Sequence, residues 1–226
     1  EDGIRDYKVT GVQTCALPIS LLHAGLGEHA AAIVAGGGWL AVSSRRDGGN
    51  TLREADGLLT GELGSITWAS GATRWLVPAR AEDGDWRLCL VIPQAPGVAL
   101  DAQANTALEP SARLRLARTP CLPVGDAGLP EWLHHRLVVA SAAVQVGVLE
   151  ETITMTTRYV SEREQFGVKI ASFQSVAHRL ADAWIDLMNL RVLARSTASA
   201  LDRGPLATLD VLSTQFWCAE AGHRVM

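Results

Sequence analysis

Two long helical patterns in the second half of the chain, joined by a short segment around Gly167, constrain the fold most. The first pattern extends from about Pro130 to about Ser161, and its helically spaced side chains are Val144, Val148, Thr152, Met155 and Tyr159. The second covers about residues 172–201, with Phe173, Val176, Leu180, Trp184, Leu187, Leu190 and Leu193 at the repeating positions. Because the segment between the patterns is short, two antiparallel helices are predicted, with the chain turning at Gly167.

The ends of these helices carry recognisable signals. Pro130 suits a first helical turn, where its missing N–H has no partner to lose. Ser172 is the predicted N-cap of the second helix. Gly204 and Pro205 end that helix, because glycine permits a left-handed cap and proline cannot continue the helix. A third helix is predicted from about Leu206, with no stop signal before the last residue.

Residues 20–127 show a different pattern, in which short apolar runs are separated by glycine- and proline-containing turns. The predicted strands are 30–35, 39–43, 58–62, 65–68, 74–77, 86–92 and 113–117. Antiparallel pairing in a small sandwich or barrel would bury their inner faces. The predicted fold class is therefore α+β, with a small antiparallel β-sandwich or barrel domain at 20–127 followed by an antiparallel α-helical bundle domain at 128–226.

Residues 1–19 resemble the conceptual translation of a sequencing-library adapter, with Tyr7-Lys8 where a short index would fall. They are predicted to be non-native and are excluded from reasoning about the fold, as a fusion scar would be. A genuine disordered N-terminus is the alternative. On the adapter interpretation the natural chain would be truncated upstream, and the unfinished third helix leads to the same expectation downstream of Met226.

Composition and charge exclude several function classes. The formal net charge is −4 and the basic residues are scattered, so the electrostatic footprint of a nucleic-acid-binding protein is missing. The longest mostly apolar helical run, 137–149, is too short to span a bilayer, and no secretory leader is visible. A cytoplasmic protein without a membrane span is predicted. The cysteines are widely spaced and the histidines form no metal-binding pair, so reduced thiols and no metal site are expected.

The segment 159–174 contains more side chains suited to ligand binding than a connection between two helices requires. The guanidinium of Arg163 offers a rigid bidentate donor array suited to a pyrophosphate, and Gln165 and Gln174 carry donors and acceptors suited to ribose or adenine. A purely structural role is the alternative. In that case Gly167 only turns the chain, and Arg163 only pairs with a neighbouring carboxylate or with the helix dipole.

This segment is similar to the C-terminal domain of the acyl-CoA dehydrogenase family. There the corner between two helices reads Tyr-x-x-x-Arg-x-Gln-Phe-Gly-x-x-Ile-x-x-Phe-Gln and is followed by Leu-Ala-Asp, which stands here at 180–182. The phrases at 59–62, 76–80, 90–92 and 95–98 occur in the order of the same family's middle β domain. One departure is the absence, around residues 32–39, of the Thr-Glu-Pro and Gly-Ser-Asp strings that hold the flavin and the thioester in that family.

The resemblance implies an FAD-dependent oxidoreductase of fatty acid metabolism and lipid degradation that introduces an α,β double bond into an acyl-CoA thioester. It also implies a homotetramer or hetero-oligomer, with electron-transferring flavoprotein as electron acceptor. In the family the corner covers the adenosine-diphosphate half of a neighbouring subunit's FAD. The predicted cofactor-binding residues, carried over by position, are Arg163 at the pyrophosphate and Gln165, Phe166, Ile170, Phe173 and Gln174 around the adenine and ribose.

No catalytic residue is assigned within the chain. The resemblance places the catalytic carboxylate on a loop that would lie beyond Met226, or in some members on the first helix, at a position occupied here by Leu137. A leucine cannot remove a proton. Glu150 and Glu151 are interpreted as solvated or interhelical carboxylates, and the chain is expected to be inactive alone.

Two alternatives remain open at this point. The chain could belong to a non-catalytic partner subunit of a heteromeric acyl-CoA dehydrogenase, one that contributes the Arg163 corner to a neighbour's FAD. It could also belong to a flavin monooxygenase or oxidase built on the same fold. A carboxylate at the position of the base would favour the dehydrogenase, and product analysis would separate the monooxygenase or oxidase.

Overall fold

The computed structural model describes residues 25–32, 35, 39–44, 46, 49–105, 108–204 and 208–226. The chain divides into two compact units, the first ending at His134 and the second beginning at His135. A β-rich unit followed by a helical unit confirms the predicted α+β class. The adapter-like residues 1–19 and the glycines at 36–38 lie outside the described residues.

The first unit contains one seven-stranded sheet and a short helix. In chain order the elements are α1 (Gly27–Ala32), β1 (Leu40–Val42), β2 (Arg53–Ala55), β3 (Leu58–Thr67), β4 (Arg74–Arg80), β5 (Trp86–Val91), β6 (Val98–Gln103) and β7 (Ser111–Val124). The hydrogen-bonded order is β1-β4-β2-β3-β7-β5, and β5 also pairs with β4, so the sheet closes on itself. Closure leaves these central strands without a free edge.

Strand β7 organises the closure because it is long enough to pair with three strands. Its first part pairs with β3 and β6, and its last residues, Cys121 to Val124, pair with β5. The pairings of β7 are all antiparallel, as predicted for this domain. Two pairings depart from that prediction, since β1 and β2 each run parallel to β4.

The core of the first unit lies inside this closed sheet. Its largest fully buried side chain is Trp75, whose indole Nε1 donates a hydrogen bond to the carbonyl oxygen of Ala69 at 2.9 Å. The apolar residues packed around it include Leu52, Leu59, Leu63, Ile66, Val77, Cys89, Val91, Leu114 and Leu116. They come from four different strands and one loop, so the core depends on closure of the sheet.

Several predicted strands need correction. Residues 30–32 of the predicted first strand are helical, because they end α1. The predicted strands 58–62 and 65–68 form one strand, β3, with an irregular register between Leu63 and Ile66. Ser65 lies in this irregular part of the strand at φ 36°, a positive value that is typical of a β-bulge. In the sequence the same position was interpreted as a break between two strands. The short or weakly apolar strands β2 and β6 were not predicted.

The second unit contains three long helices: α2 (Leu129–Glu162, which begins in the first unit), α3 (Gln174–Arg203) and α4 (Thr208–Val225). The first two agree with the prediction to within about two residues. Ser172 is not the N-cap of α3, because its hydroxyl donates instead to the carbonyl oxygen of Lys169 at 2.7 Å. The C-cap of α3 is Gly204, as predicted, but at φ 150° and ψ 177°, an extended region open essentially to glycine alone.

The side of α2 that faces the helical core is not the predicted stripe. Ala142, Leu149 and Ile153 are buried against Leu187 and Leu190 of α3. The exposed side of α2 instead carries most of the stripe read from the sequence, namely Val144, Val148, Met155 and Tyr159. The helix is therefore apolar on two sides, and its periodicity alone does not indicate which side is buried.

Helix α2 is also the described helix that, by length and composition alone, could cross a membrane, with a mean hydropathy of 1.4 in its most apolar window. The run 137–149, on which the sequence analysis based its argument against a membrane span, is shorter than this 34-residue helix. One such helix is weak evidence for a membrane span, because a core helix of a soluble protein passes the same test. The absence of a membrane span stays a prediction.

Polar contacts join the three helices. Arg191 of α3 and Glu150 of α2 form an ion pair at 2.8 Å, which agrees with the interpretation of Glu150 as an interhelical carboxylate. Asp186 of α3 is almost completely buried and pairs with Arg224 of α4 at 3.2 Å. A buried carboxylate requires such a partner, since a lone buried charge is strongly unfavourable.

Candidate functional site

The corner between α2 and α3 is a small β-hairpin. Its strands are β8 (Glu164–Gln165) and β9 (Val168–Lys169), which pair antiparallel across a two-residue turn. The turn residues, Phe166 and Gly167, have φ values of 56° and 78°. Positive φ at both central positions is the signature of a type I′ turn, whose twist matches that of the flanking strands.

Backbone hydrogen bonds anchor the hairpin at its base. The amide of Arg163 donates to the carbonyl oxygen of Tyr159 at 2.9 Å and so continues the last turn of α2. The carbonyl oxygen of Arg163 accepts from the amide of Ile170, also at 2.9 Å, which closes the hairpin. A single 3-10 turn, Ile170–Ser172, then leads into α3. The position of Arg163 is therefore fixed on both sides.

The two aromatic side chains of the corner have different environments. Phe166 is 93% exposed, whereas Phe173 is half-buried at the start of α3. Their rings lie edge to face, with centroids 6.4 Å apart. A bulky residue at positive φ is a strained outlier, and burial of its side chain within this chain does not offset the strain. Such strain is typical of a residue held in place for contact with a ligand or a partner.

The polar side chains of the corner are also exposed. Within the described part of the chain, the guanidinium of Arg163 has no hydrogen bond or ion pair, and Glu162 pairs with Arg158 at 3.3 Å instead. The structural alternative, in which Arg163 pairs with a neighbouring carboxylate, is therefore not what the structure shows. The side-chain amide of Gln165 donates to the carbonyl oxygen of Glu164 at 2.8 Å.

One residue near the corner was missed by sequence reasoning. The Nε2 atom of His178 lies 3.4 Å from the side-chain nitrogen of Gln174, one helical turn earlier on α3. The i, i+4 spacing of these two residues on a helix was the signal that could have identified the pair. His178 therefore restrains the orientation of a predicted cofactor-binding amide.

All six predicted cofactor-binding residues lie on this corner, between the end of α2 and the first residue of α3. Together they present an unpaired cation, an exposed aromatic ring and two amide side chains. This donor and acceptor set fits the pyrophosphate, ribose and adenine of an adenosine-diphosphate group. Their role in binding FAD stays a prediction.

The Leu-Ala-Asp string after the corner contributes to a different feature of the helical unit. Leu180 and Asp182 line a cavity of about 650 Å³ between the three helices. Arg179, Asp186 and Arg224 give the same cavity a charged wall. Because Asp186 and Arg224 pair with each other, these two opposite charges largely neutralise one another.

Leu137 is half-buried on α2, and the structure offers no carboxylate in its place. Glu151 is exposed, and Glu150 forms the ion pair with Arg191. Among the described residues, no group of three or more His, Cys, Asp or Glu side chains is placed to hold a metal ion. The described part of the chain therefore presents cofactor-binding chemistry at the corner without an assigned catalytic base.

A β-rich unit followed by three long helices is the order of elements found in acyl-CoA dehydrogenase folds. The family described as "Acyl-CoA dehydrogenase, C-terminal domain" matches residues 133–226. Residues 133–226 therefore form an acyl-CoA dehydrogenase C-terminal domain.

Individual relatives support this assignment. The acyl-CoA dehydrogenase FadE27 of Mycobacterium tuberculosis is 37% identical over 178 residues, which cover 74% of this chain and 48% of that protein. The caffeyl-CoA reductase-Etf complex subunit CarC of Acetobacterium woodii is 37% identical over 92 residues, covering 40% of this chain and 23% of that protein. The chain thus spans about half or less of the length of the curated relatives it matches.

Among solved structures, the ChsE4-ChsE5 complex of Mycobacterium tuberculosis superposes with a TM-score of 0.86 at 32% identity. The superposition covers 95% of this chain and 62% of that chain. The similarity therefore includes the β unit, which lies outside the family match at 133–226.

Proposed function

We propose that this chain is part of an FAD-dependent acyl-CoA dehydrogenase that introduces an α,β double bond into an acyl-CoA thioester. The observation that carries the proposal is the corner at 163–174, where an unpaired guanidinium and a 93% exposed phenylalanine are held in fixed positions. Family membership supports the reaction class.

In this proposal the corner binds the adenosine-diphosphate half of FAD. Arg163 pairs with the pyrophosphate, because a guanidinium matches phosphate oxygens in a bidentate manner. Gln165 and Gln174 hydrogen-bond to ribose and adenine, while Phe166 and Phe173, with Ile170, provide apolar contact to the adenine ring. When bound, FAD supplies the acceptor for the hydride that leaves the β-carbon of the thioester.

The exposure of the corner supports a shared site. Phe166 and Arg163 point away from the core of their own unit, so a nucleotide bound there would be enclosed only with the help of another polypeptide. We propose that this polypeptide is a neighbouring subunit of a homo- or hetero-oligomer, which holds the flavin half of the same FAD. The proposed electron acceptor is electron-transferring flavoprotein. The relative CarC is by its name a subunit of a caffeyl-CoA reductase-Etf complex.

The test is a titration of the isotope-labelled chain with ADP, with FMN as the control ligand, monitored by amide chemical shifts. ADP carries the groups that the corner is proposed to recognise, whereas FMN carries the other half of FAD. We expect saturable shifts within 163–174 with ADP and much smaller ones with FMN. Arg163→Ala is expected to weaken ADP binding about tenfold or more, since a hydrogen bond to a charged group contributes about 1.5–3 kcal/mol.

Arg158→Ala is the matched control for this experiment. Arg158 is also exposed and lies near the end of α2, but it pairs with Glu162 and is not among the predicted binding residues. Its replacement should leave ADP binding unchanged. ADP-induced shifts outside the corner, or equal losses in the two variants, would contradict the proposed role of Arg163.

A second candidate function is that of a partner subunit that contributes the corner to another subunit's FAD without catalysing the reaction itself. Two observations favour it: the described residues offer no assigned base, and the similar solved structure is that of a ChsE4-ChsE5 complex. Reduction of bound FAD by acyl-CoA separates the candidates. A dehydrogenase subunit bleaches FAD by itself, whereas a partner subunit requires a second, base-bearing subunit.

A further inference from the structure

Two cysteines of the β unit lie on neighbouring strands at the point where the sheet closes. In the β5–β7 ladder Cys89 is opposite Pro123, and Cys121 is opposite Val91. Residues two apart on a strand face the same side, so the two cysteines are diagonal neighbours on one face of the sheet. Cys89 belongs to the core cluster, and Cys121 packs against that cluster.

The two thiols differ in their access to solvent. Cys89 is completely buried. Cys121 is only half-buried. Of the two cysteines, Cys121 is therefore the one that is partly accessible to a small reagent.

The thiol–thiol contact also polarises the pair. A hydrogen bond from the Cys89 thiol lowers the pKa of Cys121, although burial and the nearby Glu54 act in the opposite direction. The same bond and burial raise the pKa of Cys89, with smaller contributions from Glu54 and, in the opposite sense, Arg87. Since the thiolate is the nucleophile, the accessible sulfur is also the more reactive one.

The backbone holds Cys121 in place on both sides. Its amide donates to the carbonyl oxygen of Gly57 at 2.9 Å, and its strand pairs with β5 on the other side. The amide of Gly57 in turn donates to a carboxylate oxygen of Glu54 at 2.9 Å. The accessible thiol therefore remains next to its buried partner.

We propose that Cys121 is a thiol-oxidation site that reacts with a hydroperoxide, with Cys89 as its resolving cysteine. The thiolate of Cys121 attacks a peroxide oxygen, the O–O bond breaks, and hydrogen peroxide gives a sulfenic acid and, after protonation of the leaving hydroxide, water. The sulfur of Cys89 then attacks the sulfenic sulfur, which forms the disulfide as the Cys89 proton and the sulfenic hydroxyl leave as a second water. Two thiols are oxidised and one peroxide is reduced.

A disulfide between Cys89 and Cys121 requires strands β5 and β7 to move closer together. Diagonal neighbours on antiparallel strands have Cα atoms about 7–8 Å apart, whereas disulfide-linked residues are usually within about 6.8 Å. Closing the bond must draw β5 and β7 together by about 1 Å. We therefore expect a disulfide that glutathione reduces readily, as is typical of strained bridges.

The test uses the intact chain, treated with a slight excess of hydrogen peroxide and then with an alkylating reagent. Tryptic peptides are mapped by mass spectrometry without reduction, since cleavage separates the four cysteines into peptides 9–45, 88–113, 119–136 and 204–224. We expect a crosslink between 88–113 and 119–136 that disappears after treatment with glutathione. Before oxidation, Cys121 should be alkylated at least about fivefold faster than Cys218, whose pKa is raised by burial.

Variants identify the role of each thiol. In Cys89→Ala the crosslink should be lost, and the sulfenic acid on Cys121 should persist long enough to react with dimedone. Cys218→Ser, the control in the helical unit, should leave the crosslink unchanged. Should Cys89→Ala fail to fold, the crosslink in the unmodified chain still decides the question. A sulfenic acid that persists on Cys121 in the unmodified chain, a crosslink between two chains, or equal reactivity of Cys121 and Cys218 would overturn the proposal.

Discussion

The β unit and the helical unit of this chain bury their apolar residues to different extents. The β unit encloses Trp75 completely and surrounds it with side chains from several strands. The helical unit has a smaller core around Leu149, Leu187 and Leu190. Most of the exposed large apolar side chains belong to the helical unit, including Met155, Phe166, Trp184, Ile185, Leu212 and Phe216.

The difference follows from geometry. A sheet that closes on itself directs one face of every strand into a common interior, so a single chain buries that face. Three helices bury only the sides that meet, and a helix that is apolar on two sides leaves one of them outside. The β unit is thus complete in its packing, whereas the helical unit retains apolar surface that is typical of contact with another polypeptide.

The largest expected effect is on the free energy of unfolding, when one tryptophan of each unit is replaced by alanine. Trp75→Ala should lower the free energy of unfolding of the β unit by about 3–5 kcal/mol, because it leaves a large cavity and removes the hydrogen bond from the indole to the carbonyl oxygen of Ala69. Trp184→Ala should change the free energy by less than about 1 kcal/mol, since this side chain is 51% exposed. Calorimetry on both variants checks the comparison, and equal losses would contradict it.

A smaller effect is expected from the buried ion pair of the helical unit. Asp186→Asn should destabilise this unit by about 1–2 kcal/mol, because Arg224 loses its partner but remains half-exposed and hydrated. Asp182→Asn, one turn earlier and exposed, is the matched control and should be close to neutral. Urea denaturation monitored by far-UV circular dichroism measures both. A neutral Asp186→Asn variant would show that the pair contributes nothing to packing of α3 on α4.

The smallest expected change in stability is an increase, at position 166 of the hairpin turn. Asn is the preferred first residue of a type I′ turn, so Phe166→Asn should stabilise the helical unit by up to about 1 kcal/mol by relieving the left-handed strain. Phe166→Ala also removes the ring but keeps the strain, and its melting temperature should lie below that of the Asn variant. Both changes should weaken ADP binding. If the Ala variant is also more stable than the unmodified chain, the stabilisation results from removal of the phenylalanine ring and not from relief of backbone strain.

The sequence alone predicted the two long helices to within about two residues, the turn between them at Gly167 and the α+β class. These features depend on short-range physics, namely the helical repeat of apolar residues and the turn chemistry of Gly167. Prediction from the sequence failed where contacts between residues far apart in the chain decide the secondary structure. The short strand β2 exists only because β3 and β4 pair with it, and residues 30–32 became helical although their apolar pattern favoured a strand.

What the sequence by itself determined is therefore that a β-rich region precedes a helical one, and which side chains the corner carries, since Arg163, Gln165 and Phe166 follow one another at fixed spacing. Only the tertiary structure decided which side of α2 is buried, that the sheet closes, and that Cys89 lies beside Cys121. The physical reason is the range of the interactions involved. Local periodicity restricts each segment to a helix or a strand, but the pairing of β5 with β7 and the choice between two apolar faces depend on contacts between residues that are far apart in the chain.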